Sequence, residues 1–342
     1  MLPSGRIIAL CIFLFLASAL ISISARSSHP AWPSLFHASP RPIPTSSYSK
    51  VAFATFLAGD PHNNNDTDTR DGYDGYYLGA RVLTYQLLHA TATRTNHSIP
   101  FLVLVTSDVS QRKRARLAQD GATVILTDKL DADWVKPGAE RWRDVLAKLR
   151  LFQLTAYKKI CFIDADMLVT RPLDGVFDNP ATDLMRTKHE PHNVKDDEAA
   201  LPVTYMFAGK ADAWSYEHDI PPAPSDYLNS GFFVFTPSRQ LFAYYVSLLK
   251  LPDRFNPTVP EQNLLNYAHR RDGNMPWNTL GWRWNMNWPT IRDLEGGAHS
   301  FHAKYWDDDP EHDQELQSIW RMQRVEMEGY YRGVEDALMH RN

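Results

Sequence analysis

An α/β fold built on a central sheet is predicted by three observations. Short apolar runs at 50–57, 100–105, 123–126 and 159–163 alternate with segments of helical periodicity, the pattern of strands crossing over through helices. The last of these runs ends abruptly in Asp164-Ala165-Asp166, two carboxylates at the carboxyl end of a strand, where open α/β sheets bind ligands. With 342 residues, 44% of them hydrophobic, the chain is long enough to bury a full core.

The elements follow in order. Residues 50–57 read as a first strand, followed by a polar loop rich in Asn and Asp. Apolar spacing from Tyr76 to about Thr91 predicts a helix, 100–105 a second strand, Ser110 to Gln119 a basic-faced helix, and 123–126 a third strand. Asp144 to Tyr157 reads as another helix, with Leu146, Leu149, Leu154 and Tyr157 near one face. This alternation implies a parallel, doubly wound sheet. Residues 183–226, rich in Pro, His, Asp and Glu, read as an inserted loop region, and Asn229 to Phe235 returns to strand character. Helices are expected over 240–251, 261–269 and 314–338, with a Trp-rich stretch (Trp277, Trp282, Trp284, Trp288) between the last two. No internal repeat and no long linker after residue 50 are visible, so one domain over 49–342 is expected.

The N-terminus is of another kind. Ile7 to Ala25 is apolar and bracketed by Arg6 and Arg26, nearly long enough to cross a hydrocarbon core. Residues 1–26 are therefore expected to form an uncleaved signal anchor, with cleavage near Ala17-Ser18-Ala19 and secretion as the alternative. Ser and Pro residues over 27–48 describe an extended stem. Glycosylation sequons at Asn65 and Asn96 agree with a lumenal, single-pass type II arrangement in the Golgi or another secretory-pathway membrane. Cys11 and Cys161, one in the anchor and one in a core strand, do not make a structural disulfide. A net charge of −4 without a basic stripe argues against nucleic acid as a partner.

Buried ionised carboxylates need compensation, and for Asp164 and Asp166 the expected partner is a hard divalent cation. On the tripeptide alone, a strand end opening into a solvated turn is an equally good reading. Taken with other short segments, however, the region from about 50 to 306 resembles the glycogenin-like glycosyltransferases of family 8. Five ordered blocks carry the resemblance: the strand ending at Thr55 with the later segment from Asp74 to Leu83; Leu146 to Leu149, whose Lys148 stands sixteen residues before Asp164; Asp164-Ala165-Asp166; Leu228 to Phe235; and Glu261 to Asn266. Trp284-Asn285 and Phe301-His302 complete the series.

The resemblance implies a GT-A fold, with a Rossmann-like mixed central sheet flanked by helices. It further implies Mn²⁺ (Mg²⁺ as the alternative), a UDP-sugar donor, and transfer of a hexose or N-acetylhexosamine to a glycan or glycoconjugate hydroxyl in an α-linkage. It assigns Asp164, Asp166 and His302 as metal ligands, and Lys148 and Lys304 to the donor phosphates. Thr55, Tyr76, Ala165, Asn229, Ser230 and Gln262 become donor contacts, and Glu261, Gln262 and Lys148 the groups nearest the transferred sugar. Departures are also present: Glu261-Gln262 stands for Asp-Gln, Asn256 for an acidic residue, and the ending His302-Ala303-Lys304-Tyr305-Trp306 is shortened. No tyrosine-bearing self-glucosylation segment is seen, so a fungal-type Golgi member fits better than glycogenin itself. The rival readings are a catalytically inactive nucleotide-sugar- or glycan-binding protein of the same fold, and a metal-dependent hydrolase.

Overall fold

The computed structural model describes residues 50–59 and 74–340, which belong to one compact unit. The expected anchor, the stem, Cys11 and the Asn65 sequon lie outside the described residues. Among those described, no helix is long and apolar enough to cross a membrane. Asn96 is exposed, as expected for a sequon, and Cys161 is buried in a core strand.

In the N-terminal half, strands and helices alternate: β1 (Val51–Leu57), α1 (Gly75–Leu88), β2 (Phe101–Thr106), α2 (Gln111–Gln119), β3 (Thr123–Thr127) and β4 (Lys159–Ile163). The two helices start where polar side chains accept otherwise orphaned backbone N–H groups, Asp74 from Tyr77 at 3.1 Å and Ser110 from Lys113 at 3.2 Å. β5 (Met167–Val169), β6 (Met185–Arg186), β7 (Thr204–Tyr205), β8 (Phe207–Ala211) and β9 (Leu228–Phe235) follow. The remainder comprises α3 (Arg239–Leu248), α4 (Pro260–Ala268), β10 (Asn278–Thr279), β11 (Met286–Asn287), α5 (Ile291–Glu295), β12 (Ser300–His302) and α6 (Gln314–Met339).

The central seven-stranded sheet runs β10-β8-β9-β4-β1-β2-β3. Its half from β4 to β3 is parallel, as the alternation implies, but β9 pairs antiparallel with both β4 and β8. The sheet is therefore mixed, the GT-A arrangement that the resemblance implies, rather than wholly parallel. Both faces are covered. Along β1, Ala52, Ala54 and Phe56 enter one apolar cluster while Val51, Phe53 and Leu57 enter another, the period-2 split of a strand buried on both sides.

Two expectations need correction. Residues 145–153 wind as a 3-10 helix, not an α-helix over 144–157. Leu146, Ala147, Lys148, Leu149, Leu151 and Phe152 are all buried, so the segment packs on more than one side rather than along one amphipathic stripe. The insertion at 183–226 is not only loop: it holds β6, β7 and β8, the last a full member of the central sheet. Its sequence, with Gly209 and Lys210 in five residues, carries too little strand signal to be legible.

Candidate active site

Four segments converge at the end of β4. Asp164 is fixed by its backbone N–H donating to Gly231 O of β9 at 2.8 Å, and antiparallel pairing of β12 with β5 sets His302 opposite Met167. Ala303 N donates to Asp166 O at 3.1 Å, which locks the His302 segment alongside the aspartates. One ligand atom from each of Asp164, Asp166 and His302 lies within 4.8 Å of the other two. His302 Nε2 stands 3.0 Å from Asp166 Oδ1 and 3.8 Å from Asp164 Oδ2. Two carboxylates and an imidazole this close fit a hard divalent cation such as Mn²⁺ and do not suit a thiolate-seeking metal.

Cations flank the pair. Lys304 Nζ lies 3.1 Å from Asp166 Oδ2, and Lys148 Nζ lies 2.9 Å from Asp164 Oδ1 and 3.5 Å from Glu261 Oε2. Lys148 is buried, so it is not the solvated lysine of an amphipathic helix. Although burial opposes charge on Asp166, His302 and Lys304 hold its carboxyl well below the usual range. Burial likewise opposes charge on Lys148, but Asp164 and Glu261 raise it above the ordinary lysine value. Lys304 is raised by Asp166. Burial pushes Glu261 up to about 7 against the lowering by Lys148. Its Oε2 accepts from Ser230 Oγ at 3.0 Å, while Oε1 is buried with no protein partner among the described residues.

The remaining expected donor contacts are distributed unevenly. Tyr76, at the start of α1, meets Trp306 edge-on with ring centroids 5.1 Å apart, and Lys304 Nζ sits 6.0 Å from its ring centre. Burial, with Asp166, pushes its hydroxyl up to about 12. Ala165 is buried against α1, where a Cβ on Gly79 would meet Ala165 O at 2.4 Å, so only glycine lets the helix approach the aspartates. Gln262 Oε1 accepts from Ser230 N at 3.0 Å, and its Nε2 donates to Tyr227 Oη at 3.0 Å. Asn229 Oδ1 accepts from Gly231 N and its Nδ2 donates to Asp212 Oδ2, both at 3.0 Å. Thr55 lies within β1, its hydroxyl buried and without a hydrogen-bond partner among the described residues. Asn256 sits outside the cluster, accepting from Thr258 N at 2.9 Å in the turn before α4.

Sequence reasoning missed Asp212. This buried carboxylate accepts from Asn229 Nδ2, from Asn287 Nδ2 at 2.6 Å and from Trp214 N at 2.8 Å. Lys210 donates to Asn287 Oδ1 at 3.0 Å in the same network, its pKa lowered by burial to about 8. Nothing in the local sequence marks these residues, because they lie in the insertion and become neighbours of Asn229 only through β8–β9 pairing. Of the four tryptophans in the Trp-rich stretch, Trp277 is core, stacked beneath Arg271 at 3.5 Å.

Curated relatives named as sugar transferases support a glycosyltransferase superfamily. No family model matches the chain. It is 28% identical over 282 residues to an uncharacterised protein of Schizosaccharomyces pombe, covering 72% of this chain and 73% of that one. To galactinol synthase 1 of Solanum lycopersicum it is 26% identical over 224 residues, covering 64% of this chain and 60% of that one. A shorter stretch of 130 residues, 38% of this chain and 20% of the relative, is 30% identical to inositol phosphorylceramide glucuronosyltransferase 1 of Arabidopsis thaliana. The solved structure of galactosyltransferase LgtC with donor and acceptor sugar analogues aligns over 80% of this chain and 95% of its own, at 15% identity and a TM-score of 0.47. Sugar transfer is the chemistry that the named relatives support.

Proposed function

We propose that the protein is a retaining, Mn²⁺-dependent glycosyltransferase that moves a hexose or N-acetylhexosamine from a UDP-sugar to a glycan or glycoconjugate hydroxyl, forming an α-linkage. The observation that carries this reading is the joining of Asp164, Asp166 and His302 to Lys304 on one side and Lys148–Glu261 on the other. A nucleotide-sugar carries diphosphate charge that must be held while the anomeric bond breaks. Asp164, Asp166 and His302 would hold the Mn²⁺, which when bound would supply Lewis-acid neutralisation of that charge. Lys304 is positioned to exchange part of its pairing with Asp166 for a phosphate oxygen. Lys148 ties Asp164 to Glu261 and keeps the carboxylate pair oriented. Glu261, held by Ser230 and raised by burial, presents an unpaired oxygen to a donor hydroxyl or to positive charge developing at the sugar. Tyr76 and Thr55 serve the nucleotide in this scheme, and Asn229, Ser230 and Gln262 shape the sugar subsite.

Anchoring through residues 1–26, a stem over 27–48 and a lumenal Golgi setting complete the proposal and rest on the sequence alone. The inactive alternative has no support from the relatives, and the charged groups Asp164, Asp166, His302, Lys148 and Lys304 argue against it.

UDP release from a panel of UDP-sugars in the presence of Mn²⁺ tests the proposal, together with thermal melts in UDP plus Mn²⁺. Ligand at a hundred times its Kd stabilises the native state by about 2.7 kcal/mol, so binding shows directly. Asp166→Asn is expected to lose both signals. No turnover with any donor, and no stabilisation by UDP plus Mn²⁺, would sink the reading.

A further inference from the structure

Two exposed tryptophans have left-handed backbones, Trp214 at φ 69° and Trp288 at φ 56°. For bulky residues this conformation is unfavourable and persists only where the surroundings impose it, which is characteristic of ligand clamps. One buried carboxylate oxygen ties both residues together: Asp212 Oδ1 accepts from the backbone Trp214 N at 2.8 Å and from the indole Trp288 Nε1 at 3.2 Å. The rings are held further by stacking. Trp214 lies over Tyr227 with centroids 5.0 Å apart and planes 28° from parallel, while Tyr216 meets Trp288 edge-on at 5.2 Å. Nevertheless Trp214 remains 59% exposed and Trp288 39% exposed, so fixed, flat apolar surface faces solvent.

The supports of this surface lead into the sugar end of the site. Asp212 holds Asn229, and the Tyr227 hydroxyl beneath Trp214 accepts from Gln262 Nε2 at 3.0 Å. We propose that Trp214 and Trp288 form an acceptor platform that stacks on the apolar C–H face of a pyranose ring, so that the acceptor is a carbohydrate and not an aliphatic alcohol or a lipid hydroxyl. Rigid aromatic faces bind such rings with little loss of side-chain freedom, and the adjacent amides orient their hydroxyls. This assignment deepens the transferase reading and rests on it.

Saturation-transfer NMR with methyl pyranosides of glucose, galactose, mannose and N-acetylglucosamine, and with maltose, lactose and α-mannobiose, tests the platform with and without UDP and Mn²⁺. At least one sugar is expected to receive saturation on its ring protons. Trp214→Ala is expected to weaken that binding at least tenfold, with Trp214→Phe within about threefold of wild type and UDP affinity unchanged. Trp288→Ala gives an independent loss should Trp214→Ala fold poorly. Absence of any sugar binding to the wild type, or binding by both alanine variants as tight as by the wild type, overturns the proposal. Failure of UDP to bind refutes the transferase reading instead, and the titrations without UDP still score the platform.

Discussion

Gly231 is the position at which a single methyl group should separate metal-site geometry from fold. A Cβ there would lie 2.3 Å from His302 Cε1 and 2.4 Å from Nδ1, whereas ordinary contact begins at 3.4 Å. The backbone cannot easily retreat. Gly231 O accepts from Asp164 N at 2.8 Å and its N–H donates to Asn229 Oδ1 at 3.0 Å, both within a strand buried on every residue. The imidazole must therefore move by about 1 Å in Gly231→Ala, which displaces it from its present position 3.0 Å from Asp166 Oδ1. Misplacement of a site group on that scale costs on the order of a hundredfold in rate. Overpacking itself costs about 1–3 kcal/mol of stability. Mn²⁺ titration of UDP release, with a urea melt on the same variant, distinguishes the two effects. The expected result is a folded protein whose requirement for Mn²⁺ rises by one to two orders of magnitude. Mn²⁺ dependence within twofold of wild type would refute His302 as a ligand and the steric reasoning with it.

Other expectations address stability. His269 is fully buried, its Nε2 2.6 Å from Tyr245 Oη and its Nδ1 2.8 Å from Met275 O, and burial lowers its pKa from 6.5 to about 4. The unfolded chain thus binds a proton that the native one refuses, so stability present above pH 6.5 falls towards pH 4 by roughly 3 kcal/mol. Urea midpoints measured at pH 7.5, 6 and 5 should show this slope in the wild type and a shallower one in His269→Gln; equal slopes would contradict it. Gly329, inside α6, faces open space where a Cβ would stand, with no neighbouring atom within 4 Å of that point. Gly329→Ala should therefore raise stability by about 0.5–1 kcal/mol through helix propensity alone, and a lower melting temperature would mean that α6 packs differently. Asp120 is buried between Arg81 at 2.7 Å and Arg116 at 2.9 Å, while its carbonyl accepts from Tyr331 of α6 at 3.1 Å. Because both arginines are partly exposed, Asp120→Ala should cost roughly 2–3 kcal/mol, below the full cost of breaking a buried pair, and a urea midpoint unchanged from wild type would count against the pair.

Much of the site was legible because it is made of short, ordered signals. Asp164 and Asp166 end an apolar run, Lys148 precedes them at a fixed spacing, and His302 with Lys304 closes the series; the structure brings all five together. Lys304, which an exposed position would have left idle, proves to pair with Asp166. Asn229 and Gln262 were identifiable as members of the region, but their amides are engaged with Asp212, Gly231, Ser230 and Tyr227, pairings no local pattern announces.

By itself the sequence determined the α/β class, the parallel half of the sheet and the identity of the charged residues, since each depends on a local apolar period or a short spacing. Tertiary structure decided the rest. It turned β9 antiparallel, wound 145–153 as a 3-10 helix, and drew Asp212 from an insertion into contact with Asn229 and Trp288. The physical reason is range. Periodicity and capping act within one or two turns of chain, whereas the burial of a carboxylate, the pairing of distant strands and the exposure of a tryptophan depend on residues tens of positions apart.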